Sequence, residues 1–413
     1  MYLTDDVQVA IKQQTKFKDI TISLRFRTNI EPSKAAARSL LALMMIDRTS
    51  KYDTKQKLSQ CQDSLYGASI RSNKASFGKS DIFAMRMTII NPMYLNEDDH
   101  LLEDSLSLLH EVLFNPLLNE ETFKEQKNSL LQRIQRALDE PSYYVVNHTF
   151  KQFDNLPLGI NSAGTIELIE KLTLLDVQNA YQDMMLHDKV DILVCGDVNE
   201  EKMTRYLKEY LPFTPRHKVV ENAYHAESDV PVKKEVIYKD ITQSYICMVW
   251  FTNCDISMED YFALNVANAM LGRYSTSLLF QEVREKRSLC YSIESSVIAY
   301  DGVLAVITGV DKENIDETIE LIHKQYEKMC FGYFEDNLLE VTKKMLVNSY
   351  KSTQDNQNAI MGITYENMLL NRQYTYEDYI AKVENVTKED VMMAMQRCEY
   401  KVCTILTKED EHE

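Results

Sequence analysis

The sequence predicts an α+β fold made of two related halves, each a mainly antiparallel sheet packed by helices. Three observations carry that reading. Segments with strand periodicity and segments with helix periodicity come in runs, which favours layered sheets and helices over a doubly wound parallel sheet. The order of elements starts again after residue 232. A nearly all-apolar helix at 33–46 has a counterpart at 258–271, and YGASIRS has one in CYSIESS, each displaced by about 225 residues, as an internal repeat would be. The expected division is residues 1–215, a linker at 216–231, and residues 232–413. The linker follows from Pro215, Pro231, clustered charges and a lack of periodicity.

The first strands come from VQVAIK and ITISLRFRTNI, whose alternation and β-branched residues read as a pair. Ser33 is the expected N-cap of the helix that follows, accepting from a free N–H of its first turn. Residues 35–46 are apolar except for Arg38 and Ser39, the pattern of a buried helix. At about 14 residues this helix is short of the roughly 20 that cross a membrane. A helix at 54–65 leads through Tyr66-Gly67-Ala68 to the strands SIRSNKASF and IFAMRMTII. Amphipathic helices follow at 101–114, ended by Asn115-Pro116, and at 120–138, stopped by Asp139-Glu140-Pro141. From His148 the chain reads as a loop and then helices, up to the short strand KVDILVCGDV. Beyond the linker, EVIYKD and SYICMVWF are strands, 258–271 and 275–286 helices, and CYSIESSVI and VLAVITGV strands. Helices at 312–330, 334–354 and 356–371 and a last one near 387–397 lead to the strand KVCTILT.

Composition narrows the function. Hydrophobic residues make up 45% of 413, enough for a full core, and 10 glycines and 8 prolines leave little room for low-complexity sequence. A net charge of −17 opposes nucleic-acid phosphates and anionic lipid surfaces, so neither is an expected partner. The eight cysteines form no Cys-x-x-Cys pair, and several lie in apolar runs where a thiol is a small hydrophobe. The start, MYLTDDVQVAIK, lacks the basic flank and apolar run of a signal peptide, so a reduced, cytoplasmic location is expected. Neither Gly-x-Ser-x-Gly nor a glycine-rich phosphate loop occurs.

Few residues are placed for chemistry. His100, Glu103 and Asp104 imitate a metal motif, but acidic residues at a helix start are ordinary dipole complementation. His110-Glu111 begins a His-Glu-x-x-His count that fails at Phe114. Arg284 lies in the charge run Arg-Glu-Lys-Arg at a helix end, and Tyr291 follows in a strand.

The tail of the first core helix, MMIDRTSKY, resembles the end of the helix that carries the inverted zinc motif His-x-x-Glu-His in the pitrilysin and mitochondrial-processing-peptidase family. PLGINSAGTIELIEKLTLLDV, CGDV and GRYSTSLLFQEVREKRSLCYSI resemble further segments of that family, in the same order, over essentially the whole chain. The resemblance implies a metallopeptidase fold. It also sets Ser39 and Leu43 at the two histidine positions, Ala42 at the general-base glutamate, and Gln132 and Arg133 at the acidic positions of the third ligand. Zinc needs imidazole, thiolate or carboxylate donors, which none of these five supplies. No zinc or other cofactor is therefore expected in this chain. Arg284 and Tyr291 match the family's arginine and tyrosine that reach toward peptide held at an opposing zinc, with Ser288 and Cys290 in place of the usual glycine and alanine. MLGRYSTS, short and with one glycine, departs from the long glycine-rich loop of the presequence-binding subunits. The implied function is the non-catalytic subunit of a bacterial-type heterodimeric zinc peptidase. Its partners would be a metal-bearing subunit of the same family and a peptide or unfolded-protein substrate. The alternative is an inactive peptide-binding or structural homodimer.

Overall fold

The computed structural model describes residues 1–95, 100–216, 218, 220–227 and 231–409. In chain order the elements are β1 (Tyr2–Thr4), β2 (Val7–Gln13), β3 (Asp19–Asn29), α1 (Pro32–Met45), α2 (Lys55–Ser64), β4 (Ser69–Phe77), β5 (Ser80–Ile90), α3 (Leu101–Phe114), α4 (Glu120–Asp139), α5 (Pro141–Lys151), α6 (Ile166–Lys171), α7 (Leu174–His187), β6 (Lys189–Gly196) and α8 (Glu200–Tyr210). They continue with β7 (Lys233–Tyr238), β8 (Ser244–Phe251), α9 (Tyr261–Asn268), β9 (Cys290–Ile298), β10 (Val303–Val310), α10 (Ile315–Cys330), α11 (Asp336–Thr353), α12 (Gln357–Leu369), α13 (Tyr376–Glu384), α14 (Lys388–Gln396) and β11 (Glu399–Thr407). Two π-helical stretches, Ala269–Arg273 and Phe280–Lys286, lie between α9 and β9.

The strands form two sheets, β1-β2-β6-β3-β5-β4 and β7-β11-β8-β10-β9. Apart from β1, the two orders correspond strand for strand. Each has a single parallel pair, β2 with β6 and β7 with β11, in the same place. The repeat expected from the sequence is thus a repeat of topology. One expectation is corrected: β2 and β3 do not pair with each other, because β6 lies between them. Every residue of β6 after Lys189 is buried, and a strand apolar on both faces belongs inside a sheet.

Local signals set most helix limits. Thr54 caps α2 by accepting from Lys57 N, and Thr387 with Asp390 closes a capping box on α14. Ser33 is not a cap. Helix α1 begins one residue earlier at Pro32, whose fixed φ suits a first turn, and Glu31 at the N-cap makes no side-chain bond. Three helices are added to those read from the sequence, among them α8, which Asn199 caps by accepting from Lys202 N. Pro141 does not only stop α4; it opens α5 as its first residue. Helix α13 carries its own capping box, Thr375 with Asp378.

The chain packs into two compact units, neither continuous in sequence: Met1–Gln135, Ile160–Glu221 and Thr353–Asn371 in one, Arg136–Gly159, Asn222–Ser352 and Arg372–Glu413 in the other. This departs from a contiguous division at 215 and 232. Helix α5 covers a face of the second sheet, with Val145 and Phe153 in one core with Cys247, Val249, Phe251, Val402 and Leu406. Helix α12 belongs to the first unit. There Gln357 accepts from Thr21 Oγ1 at 2.8 Å and donates to Cys195 O at 2.8 Å. The Arg25 guanidinium lies 3.9 Å over the Tyr365 ring. Of the expected linker 216–231, residues 217, 219 and 228–230 lie outside the described residues. Arg216 is buried and donates to Met184 O and Asp188 O, so it is part of the first unit. All eight cysteines are free and six are buried. Among the described residues no helix is long and apolar enough to cross a membrane.

Candidate functional site

Helix α1 is held by its apolar residues, with Ala35, Ala36, Leu40, Leu41, Met44 and Met45 all at most 1% exposed. Ser39 is buried on it and donates to Ser162 O at 3.0 Å. Ala42 is buried too, its carbonyl accepting from Ser72 Oγ of β4, and Leu43 is half-buried. Gln132 and Arg133 are exposed on α4. That helix ties to the segment after α1 through residues nearer its start, Gln126 donating to Asp47 Oδ1 at 2.7 Å and Glu125 lying 2.5 Å from Arg48 Nη2. The donor set at these positions is a hydroxyl already committed to a carbonyl, a methyl, an isobutyl, an amide and a guanidinium, which does not fit zinc. The other candidates are dispersed. Glu103 accepts from Tyr206 Oη, His110 Nδ1 lies 2.7 Å from Tyr210 O, and His148 lies 3.4 Å from Glu235. Among the described residues no three His, Cys, Asp or Glu side chains converge to hold a metal.

Sequence reasoning missed the charged cluster beside α1. Lys74 on β4 has 5% of its side chain exposed, with Nζ 3.0 Å from Asp81 Oδ2. Arg38, the lone cation buried in α1, lies 2.7 Å from Asp188 and 3.5 Å from Asp81. Burial pushes Lys74 below an ordinary lysine, opposed by Asp81. Burial pushes Asp188 above an ordinary carboxylate, opposed by Arg38. A signal was present: Arg38 in an apolar helix and Lys74 in phase with Ile70 on β4 are charges on buried faces, which demand partners.

In the second unit, Arg284 sits in the π-helical stretch before β9 with 41% of its side chain exposed. Its guanidinium carbon lies 4.6 Å over the Phe280 ring, and Nε is 3.8 Å from Glu285. Ser288 then turns the chain with a φ of 55°, its N–H bonded to Arg284 O at 3.0 Å. The chain enters β9, the outer strand of its sheet, and Tyr291 there is 85% exposed. Turn and strand thus carry an exposed guanidinium and an exposed phenol, both hydrogen-bond donors.

Two α+β units of matching topology carry a core helix that offers no zinc ligand at positions 39, 42 and 43, where the resemblance sets the metal motif. A sequence profile described as the peptidase M16 inactive domain matches residues 171–346. The chain is thus similar to the M16 family, the pitrilysin and processing-peptidase group, over these residues. A Bacillus subtilis protein described as a probable inactive metalloprotease, YmfF, is 28% identical over 393 residues, covering 94% of this chain and 92% of its own. The crystal structure of a conserved Enterococcus faecalis protein superposes with a TM-score of 0.91 at 28% identity, over 100% of this chain and 99% of that one. The β subunit of the mitochondrial processing peptidase of Saccharomyces cerevisiae is 20% identical over 74% of this chain and 70% of its own. The chain is thus similar to M16 proteins that are described as inactive.

Proposed function

We propose that this chain is the non-catalytic subunit of a two-chain zinc-dependent peptidase. The observation that carries the reading is a contrast between the units. Positions 39, 42 and 43 hold Ser, Ala and Leu against a packed core, while Arg284 and Tyr291 stay exposed beside an outer strand. Another M16 relative is a subunit of a peptidase, which supports a paired assembly. The partner would supply zinc, its activated water and the general base. This chain's residues would do the rest. The outer edge of β9 has backbone N–H and C=O groups for an extended peptide to pair with. The Tyr291 hydroxyl and Arg284 guanidinium donate to a substrate carbonyl and to the negative charge that grows on it. Peptides and unfolded chains are the substrates that can lie along a strand edge. Eight free cysteines support a cytoplasmic, reducing setting.

The test is reconstitution with the metal-bearing M16 member of the same organism. The double variant Arg284→Ala/Tyr291→Ala is expected to co-elute with that partner while peptide turnover falls about 100-fold or more. Full turnover by the double variant would refute the assignment. A chain that assembles only with itself would fail to co-elute with the partner at all.

A further inference from the structure

Groups from three parts of the first unit meet against α1. From β4, Lys74 places Nζ 3.1 Å from Ala35 O and 2.5 Å from Ser162 O. Ser39 Oγ donates to the same Ser162 carbonyl at 3.0 Å. Ser72, two residues earlier on the same face of β4, donates to Ala42 O. Strand β4 therefore runs along the stretch of α1 from Ala35 to Ala42, with a hydroxyl at one end and an ammonium at the other. Asp81, from β5, lies 3.0 Å from the ammonium and 3.5 Å from Arg38 Nε.

This arrangement is exclusive. An ammonium has three donor hydrogens and no lone pair, so it cannot ligate a cation. Its charge acts at short range in surroundings that screen poorly. Asp81, the carboxylate beside the ammonium, is already engaged by two cations. Burial disfavours the Lys74 charge and Asp81 favours it, while the two carbonyls accept from the ammonium. A divalent ion held at position 39 would meet a positive charge bound to the same Ser162 carbonyl as Ser39.

We infer that Lys74 is the resident cation of the first unit: its ammonium, which shares the Ser162 carbonyl with Ser39, takes the electrostatic place of a divalent metal beside position 39, holds residues 160–165 onto α1, and keeps a metal out even when ligands are supplied. The inference concerns the isolated chain and is independent of any pairing with a second subunit.

Ser39→His with Leu43→His would place two imidazoles one turn apart on α1, a chelating pair for zinc. The pair is built with Lys74 retained and with Lys74→Met. Zinc alone is the probe, measured by competition with a chromophoric chelator, with circular dichroism confirming the fold. The Lys74→Met background is expected to bind zinc at least about 100-fold more tightly. Equal affinity in the two backgrounds, whether both bind or neither does, overturns the inference. If the histidine pair does not fold, hydrogen exchange on the single variant Lys74→Met decides. Amides at 160–165 are expected to exchange at least about tenfold faster, with β10 unchanged. Unaltered exchange at 160–165 overturns the inference.

Discussion

Arg38 sits in α1 with 3% of its side chain exposed, 2.7 Å from Asp188 and 3.5 Å from Asp81. Removing one member of a buried ion network leaves charges without compensation, which outweighs any gain in apolar packing. Arg38→Met is therefore expected to lower stability to urea by about 3 kcal/mol or more. A loss under about 1 kcal/mol would show that Lys74, beside Asp81, and Lys218, whose Nζ lies 3.6 Å from Asp188, satisfy the two carboxylates alone. Lys74 gives a pH signature. Burial, with Arg38 assisting and Asp81 opposing, holds it below the ordinary value of 10.5, so the folded chain binds this proton less tightly than the unfolded chain. Stability then rises with pH from the lowered folded value up to 10.5, and the burial penalty is fully present below that window. Urea unfolding at increasing alkaline pH is expected to show the native chain gaining on Lys74→Met. A constant or shrinking difference would contradict the shift. Ser39, Ala42 and Leu43 were legible as non-ligands because donor chemistry is a property of each residue. The Lys74 contacts were not, because Asp81 and Ser162 reach it only through the sheet and a distant loop.

The turn into β9 shows what an element asks of one position. Ser288 is left-handed at φ 55°, a region that costs a residue with a Cβ about 1–2 kcal/mol. Glycine avoids that cost, although it loses more backbone freedom on folding. Ser288→Gly is expected to raise the thermal midpoint, with a net gain of up to about 1 kcal/mol. A lowered midpoint would mean that the serine hydroxyl contributes more than the strain. Most strands and helices were legible from period and punctuation. The exceptions have local causes: Pro141 was read as the end of one helix when it also begins the next, and the Asn199 cap of α8 and the Thr375–Asp378 box were passed over.

Interleaving of the two units carries a prediction for the molecule. A fragment of residues 1–231 contains every strand of the first sheet but lacks 353–371, so the Gln357 bonds to Thr21 and Cys195 and the Tyr365 packing on Arg25 are lost. That fragment is expected to unfold without a cooperative thermal transition, and a peptide of residues 353–371 added in trans is expected to restore one. A fragment that melts cooperatively alone would show that α12 is dispensable.

Fold class, the internal repeat and the absence of zinc ligands at 39, 42, 43, 132 and 133 were all present in the chain as written. Each depends on periodicity or on the chemistry of single side chains, and both are local. The insertion of β6 between β2 and β3, the assignment of α5 and α12 to units other than their neighbours', and the cation beside α1 required the fold. Each of these is settled by a competition among partners far apart in sequence, won by the arrangement that buries the most apolar surface while leaving the fewest buried charges unpaired.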